Sequence, residues 1–372
     1  MKYYLIAGER SGDLHGSNLM KELKKQDPDA QFRGFGGDYM KAVGLDMVVH
    51  YRDMAFMGLI ALFANLRTLL GRLKQGKSDI LKYQPDVVIL IDYGAFNKRI
   101  AKFCKSNGVR NYYYISPKVW AWYQSRAKEL KSNVDRMFCI LPFEKDFFKK
   151  FNWEVDYVGN PVLDAVKAFE PDPDFLTKYN LTEKKQLVAL LPGSRKSELA
   201  KIIPLMVKVI DANPDYNFVV AAVRSMPEDL YHPISKFANV HLVFDATYDL
   251  LSHAHAAVVT SGTATLETGL FKVPQVVVYK ANRLEFFLAK RMIKVEFVSL
   301  VNLIVGREAI RELIQREASI QNTIIELRKL VDDSLYRGKI MKDYDQLLEI
   351  LDTGSASENA ARLMVNYLRD EG

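Results

Sequence analysis

The chain has 372 residues, of which 49% are hydrophobic and 26% are charged, a composition that excludes collagen, coiled coils and disordered proteins. Its length favours two domains, and its two cysteines are too few for a disulfide scaffold or a structural zinc site. The net charge of +7 favours an anionic partner such as phosphate groups or acidic lipid, and not nucleic acid, whose binders carry a denser basic stripe.

The amino terminus predicts a β-strand and not a secretory signal. The apolar stretch 2–7 is short, and the charged residues Glu9, Arg10 and Asp13 follow it at once. No window contains the ~20 consecutive apolar residues that a membrane-spanning helix needs. We therefore expect a cytoplasmic protein, and contact with a membrane surface is left open.

The first half of the chain predicts a parallel sheet. Apolar strands are predicted at residues 2–7, 87–91, 111–115, 136–140 and 155–158. A glycine-containing loop and then helical leucine spacing follow the first strand, and helical patterns separate the others. Near-continuous apolar strands that alternate with helices are typical of a parallel sheet covered on both faces.

The second half repeats this architecture after a linker rich in proline and aspartate at 171–174. Its strands are predicted at residues 186–191, 217–222, 240–244, 256–259 and 275–279. Each half opens with a strand, a glycine-containing loop and a helix, which is the layout of two Rossmann-like domains. The predicted domains are 1–164 and 165–344, and we expect the helical tail 345–372 to pack back on the first domain.

Two loops of the second half have the composition of anion sites. Ser194 and Arg195 lie between a strand and a helix, where backbone N–H groups favour an anion and an arginine can clamp a diphosphate. Ser261, Gly262 and Thr263 lie at a second such junction. A tight turn with a surface arginine, and simple helix capping by hydroxyls, are the other interpretations.

Glu267 lies about one turn into the helix that follows the second of these loops. A carboxylate there can accept hydrogen bonds from two ribose hydroxyls. It is equally explained as a first-turn acid that interacts favourably with the helix dipole.

Asp92 ends the apolar strand 87–91. Ligands of open α/β sheets bind outside the carboxyl ends of the strands, so this carboxylate is placed to act as a general base. Capping of the following helix is the other interpretation. Glu9, Ser11 and Asp13 follow the first strand in the same way, with the same two interpretations.

Two further features leave alternatives open. Asn302 lies in a mostly apolar stretch, where it needs partners and either fixes a loop or binds a sugar hydroxyl. Residues 56–73 have helical leucine spacing, extra apolar residues and basic residues after them, which fits an interfacial helix at lipid or acyl chains and equally a core or dimer helix. The candidate lipid contacts are Phe56, Met57, Ile60, Phe63 and Leu66.

Several common catalytic motifs are missing from the sequence. The six histidines form no HExxH or other tight metal spacing, and the chain has neither a Walker A motif nor a nucleophile elbow. GxGxxG is also absent, which argues against hydride transfer. We expect no metal and no cofactor.

A collinear series of motifs runs through nearly the whole chain. The first half contains AGERSGD, GGDYM, MGL, SPKVWAW, LPFE and VGNPVLD, and the second half contains LLPGSR, TSGTATLE, LAKR and SLVNLIVGRE. In this set the chain resembles the lipid-A-disaccharide synthase family, glycosyltransferases of the GT-B fold. Any one of the motifs would be weak alone, but their common order is specific.

The resemblance implies an inverting sugar transfer in lipid A biosynthesis. UDP-2,3-diacylglucosamine donates its sugar to 2,3-diacylglucosamine 1-phosphate, which gives a β-1,6-linked disaccharide 1-phosphate and UDP. The single displacement needs a base and stabilisation of the departing UDP, with no obligatory metal. The resemblance also implies action at the cytoplasmic face of the inner membrane of a Gram-negative bacterium, and a homodimer in which the last helix can be exchanged.

The resemblance also implies roles for the candidate residues. Asp92 is the base, and Arg195, Ser194 and the loop 261–265 neutralise the diphosphate. Glu267 holds the ribose, and Asn302 and Glu308 face the donor. The residues implied to line the cleft from the other side are Glu9, Ser11 and Asp13.

The sequence departs from the family pattern at three positions. Ala95 stands where the family has a second acid, which argues against a two-carboxylate mechanism at that loop. Asn160 replaces a histidine, and Val301 replaces a turn proline. None of these changes removes a residue to which a role is assigned.

Two other classes of function compete with this interpretation. A UDP-sugar 2-epimerase of the GT-B fold would share the nucleotide loops but needs no acyl-binding segment. A non-catalytic binder of anionic lipid or nucleic acid would not need Arg195, Glu267 and Asp92 together. Turnover of an acylated donor separates the first class from a transferase, and UDP binding separates the second.

Overall fold

A computed structural model of the chain describes residues 1–54, 66–181, 185–260, 262–281 and 295–370. They divide into a first unit, residues 1–161 with 353–372, and a second unit, residues 162–352. The strands are β1 (Lys2–Ala7), β2 (Gln31–Gly36), β3 (Leu45–His50), β4 (Val87–Ile91), β5 (Asn111–Tyr114), β6 (Arg136–Cys139), β7 (Asp156–Tyr157), β8 (Leu187–Leu191), β9 (Asn217–Ala222), β10 (Val240–Phe244), β11 (Ala256–Thr260), β12 (Gln275–Tyr279) and β13 (Glu312–Ile314).

Helices connect these strands. In chain order the described α-helices are α1 (Arg10–Gln26), α2 (Asp38–Ala42), α3 (Leu66–Tyr83), α4 (Gly94–Ser106), α5 (Arg126–Asn133), α6 (Phe143–Lys149), α7 (Pro161–Lys167), α8 (Phe175–Lys178), α9 (Lys196–Asp211), α10 (His232–Ser235), α11 (Thr247–His253), α12 (Thr263–Leu270), α13 (Leu300–Val305), α14 (Ile320–Asp332), α15 (Ser334–Leu351) and α16 (Ala356–Asp370). Short 3-10 turns lie at Tyr51–Asp53 and Glu228–Tyr231.

The first unit contains a seven-stranded sheet in the order β3-β2-β1-β4-β5-β6-β7, and every pair in it is parallel. Its central strands are fully buried, as near-continuous apolar runs predict. β2 and β3 were not predicted, because the glycines and the arginine of QFRGFG obscure the strand pattern. Gly34 is needed there: its φ is +146°, and a Cβ would lie 2.0 Å from the Leu5 carbonyl oxygen.

The last helix returns to the first unit. α16 packs along α1, and its Ala360, Ala361, Met364 and Val365 lie in the core of the first sheet. The prediction began this return at residue 345, but the structure begins it after 352. Residues 345–351 belong to α15, whose Leu347 packs against Gly269 of the second unit.

The second unit contains a six-stranded parallel sheet in the order β10-β9-β8-β11-β12-β13. Five of these strands were predicted within one residue of their observed bounds. The three-residue β13 was not, because so short a strand carries no readable period.

Each sheet has a point at which the strand order reverses. In the first unit this point lies between β1 and β4, where Ala7 pairs with Ile91. In the second unit it lies between β8 and β11, where Leu191 pairs with Val259. Because paired parallel strands end side by side, the loops after β1 and β4 are neighbours, as are those after β8 and β11. Among the described helices, none is long and apolar enough to cross a membrane.

Candidate active site

The loop after β4 holds Asp92 in an unusual backbone conformation. Asp92 and Tyr93 have φ values of 46° and 48°, a region that costs free energy for residues other than glycine. The Asp92 carbonyl accepts hydrogen bonds from Tyr113 Oη at 2.6 Å and from Asn97 Nδ2 at 2.9 Å. The surrounding structure therefore fixes this strand end firmly.

The Asp92 carboxyl group is in an environment that suits a base. Burial raises its pKa, and the nearby charge of Glu9 raises it further. The ammonium group of Lys118 and a hydrogen bond from the Tyr93 backbone act in the opposite direction. A carboxylate with a raised pKa is a stronger proton acceptor than a free aspartate. Lys118 was not singled out in the sequence as a site residue, although it lies in the motif SPKVWAW.

The loop after β1 lies beside Asp92. Of the three candidate site residues that follow β1, two are exposed and one is buried. Glu9 and Ser11 are exposed, and Glu9 acts electrostatically on Asp92. Asp13 was implied to line the cleft, but it is buried. Its carboxylate accepts hydrogen bonds from the backbone of Gly37 at 2.7 Å and of Tyr39 at 3.0 Å, so in this structure it caps α2 and does not face a ligand.

In the second unit, the loop after β8 presents backbone donors and Arg195 at the start of α9. Arg195 is exposed and pairs with Glu198 Oε1 at 3.1 Å. The other oxygen of Glu198 accepts from the backbone N–H groups of Ser194 at 3.1 Å and Arg195 at 3.3 Å. These donors thus already hold one anion, the side chain of the third residue of the helix, in the manner of a capping box.

The neighbouring loop after β11 opens α12. Gly262 has a φ of 142°, and Thr265 caps the turn by donating to the Gly262 carbonyl at 2.8 Å. Thr263 is exposed at the start of the helix. Ser261 lies outside the described residues, so its predicted contact with phosphate is not described.

Glu267 lies in α12 at the predicted position. Its Oε1 accepts a hydrogen bond from Tyr248 Oη at 3.0 Å, and burial raises its pKa. Tyr248, which the sequence analysis did not single out, thus orients the carboxylate and occupies one of its acceptor positions. Among the described residues, no group donates a hydrogen bond to the other oxygen, Oε2, which can therefore accept from a ligand.

The sequence left two roles open for Asn302, fixing a loop or binding a sugar hydroxyl, and in the structure it fixes a loop. It is fully buried, and its amide nitrogen donates to the Ile310 carbonyl and to Glu312 Oε1, both at 2.9 Å. Its amide oxygen accepts from the backbone of Ala309 at 2.9 Å and Ile310 at 3.0 Å. The implied contact with the donor is therefore corrected, because both amide atoms are already satisfied inside the unit.

Glu308 is not brought to the loops after β8 and β11. It lies in the segment that enters β13 at its amino end, is half-exposed, and pairs with Arg311 at 3.0 Å. Four of the candidate lipid contacts, Phe56, Met57, Ile60 and Phe63, lie outside the described residues. Leu66 begins α3, but its side chain is not described either.

In the part of the chain that the structure describes, no three histidine, cysteine or acidic residues are grouped so as to hold a metal ion. His253 packs parallel to the Phe175 ring at 5.3 Å, and His255 lies 3.3 Å from the Val331 carbonyl. Both histidines therefore make structural contacts within the second unit.

Comparison with protein families gives one match over nearly the whole chain. A family model described as lipid-A-disaccharide synthetase matches residues 3–365. Lipid-A-disaccharide synthase of Syntrophus aciditrophicus is 36% identical over 98% of this chain and 97% of its own. The enzymes of the same name from Geobacter metallireducens and Coxiella burnetii are 35% and 34% identical, each over 98% of this chain and 96% and 98% of their own.

Solved structures of two other kinds share the fold. UDP-N-acetylglucosamine 2-epimerase from Neisseria meningitidis, bound to UDP-GlcNAc, aligns with a TM-score of 0.69 at 13% identity over all of both chains. The glycosyltransferase of kitacinnamycin aligns with a TM-score of 0.67 at 15% identity over 99% of both chains. These likenesses confirm the predicted α/β fold of two Rossmann-like units, the GT-B class, and say nothing about the reaction.

Proposed function

Because the chain belongs to the lipid-A-disaccharide synthetase family, it is a glycosyltransferase of lipid A biosynthesis, and we propose how its residues carry out the transfer. The donor is UDP-2,3-diacylglucosamine, and the acceptor is 2,3-diacylglucosamine 1-phosphate. The products are the β-1,6-linked disaccharide 1-phosphate and UDP. The observation that carries the proposal is that the polar loops of each unit flank its strand-order reversal, where open α/β sheets bind ligands.

Asp92 is the proposed base of the first unit. Its carboxylate accepts the proton of the acceptor 6-hydroxyl as that oxygen attacks C1 of the donor sugar. The C1–O bond to the diphosphate breaks in the same step, and UDP leaves with the bonding electrons. The raised pKa of Asp92 supports this assignment, since a base acts best when its pKa approaches the working pH.

The loops after β8 and β11 are the proposed site of the UDP group. Arg195 and the backbone N–H groups of Ser194 and Arg195 neutralise the diphosphate once Glu198 gives up their hydrogen bonds. Gly262 and Thr263, at the start of α12, border the same anion, and Ser261, which lies outside the described residues, is proposed to bind it as well. Glu267, held by Tyr248, accepts from the ribose hydroxyls.

We further propose that the enzyme works on the cytoplasmic face of the inner membrane. Both substrates carry acyl chains, and the apolar and basic composition of 56–73 suits the boundary between head groups and acyl chains.

A homodimer stays a prediction. The last helix, proposed as an element that subunits exchange, packs here on the first sheet of its own chain.

The test is UDP release from UDP-2,3-diacylglucosamine in mild detergent with EDTA, with and without the acceptor. We expect acceptor-dependent release and a lipid disaccharide product. D92N should lose at least a hundredfold in turnover, as expected when a general base is removed, and still bind UDP. D86N is the matched control, because Asp86 lies at the other end of β4, where it accepts from the Lys2 backbone at 2.7 Å.

Two results would contradict the proposal. Full turnover by D92N would remove Asp92 as the base. Turnover of UDP-N-acetylglucosamine without an acceptor, together with inertness toward the acylated donor, would favour the epimerase reaction of the structural relatives.

A further inference from the structure

A buried carboxylate, that of Glu144, fixes the loop after β5. Glu144 on α6 is only 1% exposed, and it accepts hydrogen bonds from the backbone of Leu141 at 3.0 Å and of Ile140 at 3.2 Å. Ser116, at the start of the loop, donates its hydroxyl proton to the same carboxylate. Because these donors come from two segments, Glu144 connects the loop after β5 to the residues that follow β6.

This fixed loop lies against the loop of Asp92. β5 is the neighbour of β4 in the sheet, so the loops that follow them are adjacent. A Cβ at Gly94 would lie 3.3 Å from Pro117 Cβ, which shows how closely the two loops pack. Lys118 follows Pro117, and its ammonium group is near enough to act electrostatically on the Asp92 carboxyl group.

Unlike Lys98 and Lys105 of the same unit, Lys118 has no ion-pair partner among the residues that the structure describes. Lys98 pairs with Glu129 and Lys105 pairs with Asp135, each at 2.8 Å. Lys118 is exposed, and within the described ranges no carboxylate forms a salt bridge with it. It is therefore a cation beside the proposed base that is free to bind an anion.

We propose that Lys118 binds the phosphate group of the acceptor while Asp92 holds the acceptor 6-hydroxyl. The inference rests on the proposed function of Asp92. The 6-hydroxyl and the 1-phosphate belong to the same pyranose ring, so a group that binds the phosphate must lie within one ring width of the base. A lysine ammonium group suits a phosphate monoester as a compact point charge.

The test compares acceptors with and without the 1-phosphate. We expect K118A to raise the acceptor KM at least tenfold, the size of one charge-assisted hydrogen bond, and to leave the donor KM unchanged. The wild type should prefer the phosphorylated acceptor to the unphosphorylated one, and in K118A this preference should be smaller by the same factor. K118R should restore much of the preference. K128A is the matched control, because Lys128 is exposed on α5 of the same unit.

Three outcomes would overturn the proposal. An unchanged phosphate preference in K118A would leave Lys118 as a group that only adjusts the pKa of Asp92, which would appear as a shifted pH profile. A loss seen with phosphatidylglycerol vesicles but not in neutral detergent would assign Lys118 to lipid head groups. A loss of equal size in K128A would mean a general effect of surface charge.

The test separates this proposal from the assignment of Asp92. Binding of glucosamine 1-phosphate and of glucosamine, measured by calorimetry, needs no turnover. If D92N keeps full turnover while K118A selectively weakens binding of the phosphorylated sugar, the base assignment fails and the phosphate site stands. If both sugars bind K118A as they bind the wild type, the phosphate site fails whatever D92N does.

Discussion

At the scale of single residues, the charges around Asp92 set the pH at which it can act as a base. Glu9 raises its pKa, so removal of the Glu9 charge lowers that pKa and leaves Asp92 ionised at lower pH. We therefore expect the acid limb of the kcat/KM profile to move to lower pH in E9Q. The measurement is the pH dependence of kcat/KM for the acceptor.

E22Q is the control for this shift, because Glu22 lies on α1, the helix that begins directly after Glu9, and pairs with Lys25. Its profile should match that of the wild type. An acid limb that stays in place in E9Q, or moves to higher pH, would show that Glu9 does not act on the ionisation that limits the reaction.

Glu144 predicts a pH-dependent stability. Burial raises its pKa from 4.5 to about 7, so the folded state binds a proton more tightly than the unfolded state. The contribution of this tighter proton binding to the free energy of unfolding is fully present below pH 4.5 and is lost as the pH rises through about 7. We expect the wild type to lose stability relative to E144Q across this range, by about 1.4 kcal/mol per pKa unit.

The measurement is urea unfolding of the wild type and E144Q at several pH values. Other titrating groups are common to both proteins and cancel in the difference between their free energies of unfolding. A difference that is constant from pH 4.5 to 7 would mean that Glu144 stays ionised in the folded protein throughout.

The sequence located the functional residues by type and by strand end, but not by the direction of each side chain. Asp92, Glu9 and Asp13 all follow strands, yet Asp13 turns inward to cap α2. Asn302 likewise has all its amide atoms satisfied inside the second unit. Such differences depend on partners distant in sequence, as Tyr248 shows for Glu267, and no local pattern reports them.

At the scale of elements, the loops after β1 and β4 are packed against each other through a glycine. A Cβ at Gly8 would lie 2.3 Å from the Tyr93 ring, and the Tyr93 backbone is fixed at positive φ. We expect G8A to destabilise the first unit by about 1–3 kcal/mol, the usual cost of overpacking, and to lower turnover, because Tyr93 adjoins Asp92. Thermal unfolding and the UDP-release assay measure both effects.

A double-mutant cycle tests the mechanism of this effect. In a Y93A background, G8A should cost much less, because the ring that it meets is gone. G71A is the control, since a Cβ at Gly71 meets no atom of the described residues within 4 Å and alanine favours the helix by about 1 kcal/mol. An equal cost of G8A in both backgrounds would place the strain in the backbone and not in the contact with the ring.

Elements were predictable where the apolar run was long. β4 and β9 were read directly, because every residue in them is buried and the pattern is continuous. β2 was missed, since Gly34 is selected by the close approach of the Leu5 backbone and not by strand propensity. The strand conformation of β2 therefore depends on its contact with β1, which is distant in sequence.

At the scale of the whole molecule, the chain crosses from the first unit to the second once and returns for its last helix. The stability of the first unit therefore depends on residues that follow the complete second unit. Met364 of α16 is fully buried in the core of the first sheet, and removal of such a side chain costs about 2–5 kcal/mol. The matched position in the second unit is Leu347 of α15, which is also fully buried.

We expect M364A to lower the hydrogen-exchange protection of the first unit and to leave that of 162–352 unchanged, because its contacts lie in the first core. Calorimetry should then show UDP binding retained in M364A and weakened in L347A, since Leu347 packs against Gly269 in α12, the helix that carries Glu267. Loss of protection in both units by M364A would mean that they unfold as one cooperative body. Loss of UDP binding in M364A but not in L347A would move the nucleotide site to the first unit and contradict the roles of Arg195 and Glu267.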